Sequence, residues 1–197
     1  MPQRYRSALL VGPPGAGKGT QGELLGALPQ FFHHSSGDVF RNLSPETPEG
    51  KTFFDYSTKG LLVPDDVTIA VWKANIESQR EEGHFNPDEH MLLLDGIPRT
   101  AAQAPLMDEH VEIVRVVHLV CRDEDAFVER LKKRAKEKGR SDDAQEDVIR
   151  KRFEVYKDET RPVLDHYDKG SIADIDAMGS IEDGHARCKE ARETARL

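Results

Sequence analysis

Short apolar runs recur along the chain at 8–12 (ALLVG), 90–96 (HMLLLDG), 114–120 (VRVVHLV) and 171–177 (SIADIDA), with a weaker fifth at 31–36 (FFHHSS). Runs of this kind, apolar on both faces, suit strands covered by helices on each side. Between them the apolar positions recur at helical spacing. The pattern predicts helices from about Thr20 to Leu28, Pro64 to Glu82, Glu124 to Lys138, Gln145 to Tyr167 and Ser180 to Arg196. Pro64, Asp65 and Asp66 read as a helix start, with acidic side chains near the positive end of the helix. Strands alternating with helices predict an α/β fold built on a five-stranded parallel sheet flanked by helices.

Two segments break the alternation. Residues 35–63 contain SPETPEG and little apolar pattern between Arg41 and Gly60. Pro45 and Pro48 argue against a continuous helix there, since proline has no place in a helix interior. Residues 133–143, KRAKEKGRSDD, are nearly all charged. Both read as surface insertions on a core made of 1–34, 64–132 and 144–197.

Composition narrows the class. At 197 residues and 37% hydrophobic, the chain fits one domain with insertions and has enough apolar material for a core. A formal net charge of −8 argues against a general binder of nucleic acid or anionic membranes. No apolar run approaches the roughly 20 residues of a membrane span. The N-terminal MPQRYRSALLVG has too short an apolar stretch for a signal peptide. Cys121 and Cys188 do not form a CxxC pair, and the histidines show no metal spacing. The expectation is a cytoplasmic protein without a structural zinc.

The stretch GPPGAGKGTQ, residues 12–21, carries the chemistry. It follows a predicted strand and precedes a predicted helix, which is the setting of a phosphate-binding loop. Glycine lets backbone N–H groups converge on an anion, and the helix adds its positive dipole end. Gly12, Gly17 and Lys18 meet the spacing G-x-x-x-x-G-K, and Lys18 brings a full charge to the phosphates. Gly19 stands where a serine or threonine usually follows the lysine, and the hydroxyl comes one later, at Thr20.

Three further stretches narrow the reaction: HHSSGDVFR (33–41), LLLDGIPRT (92–100) and the series Arg130, Arg134, Arg140 and Arg152. With GPPGAGKGTQ they resemble the nucleoside monophosphate kinases, the short-lid adenylate kinases in particular, over nearly the whole chain. The resemblance implies reversible phosphoryl transfer, ATP + AMP ⇌ 2 ADP, with magnesium, in a monomer whose partners are AMP, ADP and ATP. It implies that Gly15, Ala16, Gly17, Lys18, Gly19 and Thr20 cradle the ATP phosphates, and that Arg130 and Gly179 border its adenine. By the same resemblance, Arg134 would reach the ATP phosphates, and Asp95 would hold magnesium through water. Ser36, Arg41, Gly96, Arg99 and Gln103, with the backbone of Leu61, Leu62 and Val63, bind AMP. Arg140 and Arg152 clamp the transferring group and the acceptor phosphate, with Asp142 and Asp143 steadying the arginines. Residues 35–63 become the acceptor-binding insertion and 133–143 a short lid without the zinc-bearing insert of some relatives.

The physical problem fits these residue types. Two polyanions are pressed together, so the protein supplies positioning and positive charge. Lys18, Arg99, Arg134, Arg140 and Arg152 are the candidates for the reacting centre. Arginine holds phosphate oxygens with a planar fork and stays protonated. The amide of Gln103 suits an adenine edge, because it offers both a donor and an acceptor. Two departures from the family pattern stand out: Ile97 replaces an aromatic residue after Asp95-Gly96, and one extra residue follows GRSDD. Two other readings remain open: a UMP/CMP kinase on the same fold, and a nucleotide-gated binding module without turnover.

Overall fold

A computed structural model describes residues 4–140, 143 and 145–193. Five strands, β1 (Tyr5–Val11), β2 (Phe31–Ser35), β3 (Met91–Asp95), β4 (Val111–Val120) and β5 (Ile172–Asp176), form one sheet in the order β2-β3-β1-β4-β5. Every pairing is parallel. The chain moves from the central β1 to one side for β2 and β3, then crosses to the other side for β4 and β5. The carboxyl end of β1 is therefore the point where the strand order reverses, the usual ligand crevice of open α/β sheets. The register aligns Leu10 and Ser35 with Asp95 across β3, so three strand ends finish side by side.

Successive side chains of a strand point to opposite faces, and each face of this sheet has its own core. Leu10, Leu93 and Val117 pack with Leu25 of α1 (Lys18–Gly26), Phe127 and Leu131 of α6 (Glu124–Lys138), Phe153 of α7 (Glu146–Val155) and Cys188 of α8 (Ile181–Glu193). Leu9, Val11, Leu92 and Leu94 pack on the other face with Trp72 and Ile76 of α4 (Asp65–Glu81) and Met107 of α5 (Gln103–Asp108). The fully buried Trp72, Phe127 and Leu131 fix these layers.

The departures from the sequence pattern have local causes. Inside 35–63 the chain forms two helices, α2 (Ser36–Arg41) and α3 (Pro48–Ser57). Pro45 stays in the intervening loop, but Pro48 starts α3, where its missing N–H costs nothing. Thr47 caps that helix by accepting from the Gly50 N–H at 3.1 Å. Phe53 of α3 then stacks on Phe40 of α2, ring centres 5.5 Å apart.

The charged stretch read as the start of a lid continues α6 as far as Lys138, and the helix ends on Gly139 in the left-handed conformation. Asp142 lies outside the described residues. The helix expected over 145–167 ends at Val155 and continues as a π-helical turn, Tyr156–Thr160, and a 3-10 segment, Arg161–His166. Pro162 explains this: it has no N–H to donate, and its ring crowds the carbonyl four residues earlier. α8 starts as expected, with Ser180 Oγ accepting from the Asp183 N–H and Asp183 Oδ2 accepting from the Ser180 N–H. Among the described residues no helix is long and apolar enough to cross a membrane.

Candidate active site

The loop between β1 and α1 turns tightly because Gly15 and Gly17 adopt φ of 81° and 92°, which side chains other than glycine rarely take. Ala16 faces inward as part of the core, and its N–H donates to Pro13 O. No side chain caps the start of α1, which leaves its first-turn N–H groups for an incoming anion. Lys18 closes the loop, with Nζ donating to Gly12 O at 2.6 Å and Pro13 O at 3.1 Å. Burial pulls its pKa down to about 7. Asp95 opposes that shift, and Arg99, Arg152 and Arg134 reinforce it.

Asp95, at the end of β3, is buried. Burial favours its neutral form, but His33, Lys18 and Arg99 beside it outweigh that and hold its pKa below the usual carboxylate value. His33 Nε2 stands 3.7 Å from Asp95 Oδ2. A Cβ on Gly19 would sit 3.7 Å from the same oxygen, so the position after the lysine faces this carboxylate directly. Among the described residues no group of three or more His, Cys, Asp or Glu side chains gathers as a metal cage. One carboxylate beside a phosphate loop instead suits magnesium, which keeps several waters and takes phosphate oxygens as ligands.

A second constellation forms where β3 ends. Ser36 Oγ donates to Gly96 O at 2.7 Å, and Arg99 Nε donates to the same carbonyl at 2.8 Å. The Arg99 N–H donates to Gln103 Oε1 at 2.7 Å. These residues line a cleft of about 1040 Å³ together with Leu61, Leu62, Val63, Phe53 and Tyr156. An adjoining cleft of about 670 Å³ lies over the glycine loop. Lys18, Arg41, Arg99, Arg134, Arg140 and Arg152 all line this second cleft, and Lys18, Arg41, Arg99 and Arg152 line the first as well. Cations scattered from residue 18 to residue 152 thus converge on the passage between two clefts.

Two carboxylates order the arginines. Asp143 is fully buried; it accepts from Arg134 Nε and Nη2 at 2.8 and 2.6 Å, and its other oxygen takes Arg152 Nη1. Asp38 Oδ1 takes Arg41 Nη1 at 3.1 Å and Arg140 Nη2 at 3.0 Å. Thr20 lines the loop-side cleft. Arg130 and Gly179 line neither cleft. Arg130 donates to Gly179 O at 3.3 Å and to Ala177 O at 3.0 Å, and its guanidinium lies 4.9 Å from the centre of the Phe127 ring. Reading the sequence gives three residues no such role in the site. Asp65 binds Gln103, Asp38 bridges two arginines, and His33 adjoins Asp95. Only Asp38 had a local signal, as the acid of SGDVFR.

A parallel sheet with a glycine loop at its switch point, facing a cleft lined by six cations, defines a P-loop protein that binds nucleotide phosphates. A sequence model of adenylate kinase matches residues 10–172. The chain is 44% identical to an adenylate kinase of Corynebacterium diphtheriae over 91% of this chain and 94% of that one. It is 42% identical to one of Corynebacterium urealyticum (89% and 92%) and 40% identical to one of Thermobifida fusca (93% and 96%). The chain belongs to the adenylate kinase family.

Proposed function

We propose that the two adjoining clefts hold the two nucleotides of the family's reaction, the reversible transfer of a phosphoryl group from Mg-ATP to AMP that yields two ADP. The loop-side cleft takes the donor. Amides of Gly15, Gly17, Lys18, Gly19 and Thr20 bind its phosphates with Lys18 and Arg134, Ala16 contributes by shaping the loop because its own N–H is taken by Pro13 O, and Arg130 and Gly179 border the adenine. The wider cleft takes AMP. Ser36, Gly96 and the Leu61–Val63 backbone frame it, Arg41 and Arg99 hold its phosphate, and Gln103 reads its base. Arg140 and Arg152 brace the group in flight.

In such a transfer, charge spreads over the phosphoryl oxygens as the bond to the donor loosens, and fixed cations at that point lower the barrier without reorganising. Asp95 would hold magnesium, through water, and the ion would offset the charge of the donor phosphates. The observation that carries the reading is that Lys18, Arg41, Arg99 and Arg152 line both clefts. A passage with that much positive charge is suited to a phosphoryl group moving across it.

Residues 35–63 close over the acceptor and 133–143 over the donor, excluding water that would otherwise take the phosphoryl group. Support comes from the contact between the two segments through Asp38 and Arg140. One chain supplies every one of these side chains, which supports a monomer. Two unpaired cysteines, one of them buried, support a reducing compartment, the cytoplasm. Coupled assays with AMP, CMP and UMP as acceptors test the assignment. AMP should exceed both pyrimidine nucleotides by at least about 10²-fold in kcat/KM, and comparable rates with CMP or UMP would overturn it. Light scattering at assay concentrations tests the monomer.

A further inference from the structure

Gln103 is only 1% exposed, yet it lines the wider cleft. Its side-chain amide is held at both ends. Oε1 accepts from the Arg99 backbone N–H at 2.7 Å, and Nε2 donates to Asp65 Oδ1 at 2.7 Å. Asp65 is itself held, because Thr100 Oγ1 donates to both of its oxygens at 3.2 Å, and the Gln103 N–H returns to Thr100 Oγ1 at 3.1 Å. Asp65 does not line the cleft; it stands behind the glutamine, in the first turn of α4.

The partners fix which way the amide faces. A backbone N–H only donates and a carboxylate only accepts. Turning the amide over would set its NH₂ against the Arg99 N–H and its carbonyl against the Asp65 carboxylate, two repulsive contacts in a buried place. Among the described residues these bonds use one hydrogen and one lone pair of the amide, leaving one of each. That remainder accepts from a 6-amino group and donates to the neighbouring ring nitrogen, which is the edge a 6-aminopurine presents. A 6-oxopurine presents the reverse, an acceptor at position 6 and a donor at the ring nitrogen. It needs the amide turned over.

We propose that Asp65 is a specificity-determining positioning residue, locking the Gln103 amide in the one orientation that accepts a 6-aminopurine monophosphate and rejects a 6-oxopurine one. The proposal rests on the reading of Gln103 as the residue that meets the acceptor base. Asp65 acts through Gln103 and touches no substrate. Its value lies in the carboxylate being a pure hydrogen-bond acceptor, where an amide offers a donor as well.

The decisive variant is Asp65→Asn. Asparagine keeps the size and hydrogen-bonds to the Gln103 amide in either orientation, so the contact survives while one of the two repulsions that oppose turning the amide is removed, leaving only the Arg99 N–H to oppose it. The measurement is kcat/KM for AMP and for IMP, expressed as a ratio. Asp65→Asn should lower the AMP/IMP ratio by about tenfold, the scale of one hydrogen-bond preference, mostly by improving IMP. Asp66→Asn, in the same helix turn but exposed and without these bonds, should leave the ratio unchanged. Gln103→Ala should collapse it. If Gln103→Ala collapses the ratio while Asp65→Asn leaves it intact, or shifts AMP and IMP in parallel, the lock is overturned and the base-reading role of Gln103 stands. If Gln103→Ala leaves the ratio intact, that role fails and the lock fails with it.

Discussion

Asp143 and Arg134 are joined by two hydrogen bonds, from Nε and Nη2 of the guanidinium to a single carboxylate oxygen that water does not reach. The other oxygen takes Arg152. A buried anion thus sits between two of the cations that line the loop-side cleft. It holds both guanidinium groups and offsets their repulsion. If these arginines receive the phosphoryl group, as proposed, it should meet side chains that are already oriented, with little of the binding energy spent on ordering them.

Asp143→Ala should therefore damage the empty enzyme more than the loaded one. Removing one partner from a fully buried ion pair costs about 3–5 kcal/mol. Arg134 and Arg152 keep 30% and 18% side-chain exposure, so the expected loss is smaller, about 2–3 kcal/mol. A dinucleoside polyphosphate spanning both clefts supplies replacement anions. The Tm increase it causes should thus be larger for Asp143→Ala than for the parent. Equal increases would show that Asp143 does no more than hold the fold.

The lowered pKa of Lys18 should make nucleotide binding depend on pH. Its pKa falls from 10.5 to about 7 in the fold, so between those values the unfolded chain holds a proton that the folded one lacks. Stability contributed by this group accordingly rises with pH through that window; below about pH 7 the charge persists and its burial cost is felt in full. A bound polyphosphate restores the charged form. Near pH 8.5, donor binding should take up close to one proton, and near pH 6 very little of this uptake should remain. Calorimetry in buffers of different ionisation heat measures it. Lys18→Met should abolish the uptake and lower kcat by about 10²–10³. Proton uptake that persists in Lys18→Met would assign it to another group.

Much of this organisation was legible in the sequence, for identifiable reasons. Strands buried on both faces leave unbroken apolar runs, and a phosphate loop spends glycines at fixed spacing, so β1, β3, β4 and Lys18 were visible at once. α3 was hidden because Pro48 looks the same whether it breaks a helix or begins one. The end of α7 was hidden because the apolar spacing continues past Val155, and only Pro162 betrays the change. Asp65 had a sufficient local explanation as an acid in a helix's first turn. Its bond to Gln103, 38 residues away, exists only once α4 and α5 are packed together. Sequence spacing reports contacts within an element; those made by packing elements together it does not.

Arg140→Ala should separate binding from turnover. The guanidinium is largely buried, lines the loop-side cleft and is tied at 3.0 Å to Asp38 of α2, whose neighbour along the helix, Arg41, lines both clefts. A cation placed against a transferring phosphoryl group contributes about 10³-fold or more. Turnover should fall by that order, while ATP affinity, measured without acceptor, should stay within about threefold of the parent. A parallel loss of affinity would move Arg140 from the reacting centre to the donor's ground-state grip.

Gly96 offers a test of the acceptor side that separates backbone strain from displaced chemistry. Its φ is 85°, and a Cβ there would lie 2.6 Å from Arg99 Nη2 and 2.7 Å from Ser36 Oγ. Gly96→Ala should therefore lose about 1–2 kcal/mol from the left-handed backbone alone, and also push the Arg99 guanidinium and the Ser36 hydroxyl aside. Displacement on the ångström scale costs about 10²-fold in rate, and it should appear in kcat/KM for AMP while ATP affinity holds. Gly83 supplies the control: its φ is 78°, but nothing lies within 4 Å of its would-be Cβ. Gly83→Ala should carry the same strain and lower Tm by a similar amount, with AMP kinetics unchanged. If both variants lose stability alike and neither loses AMP turnover, Arg99 and Ser36 are not the acceptor's anchors.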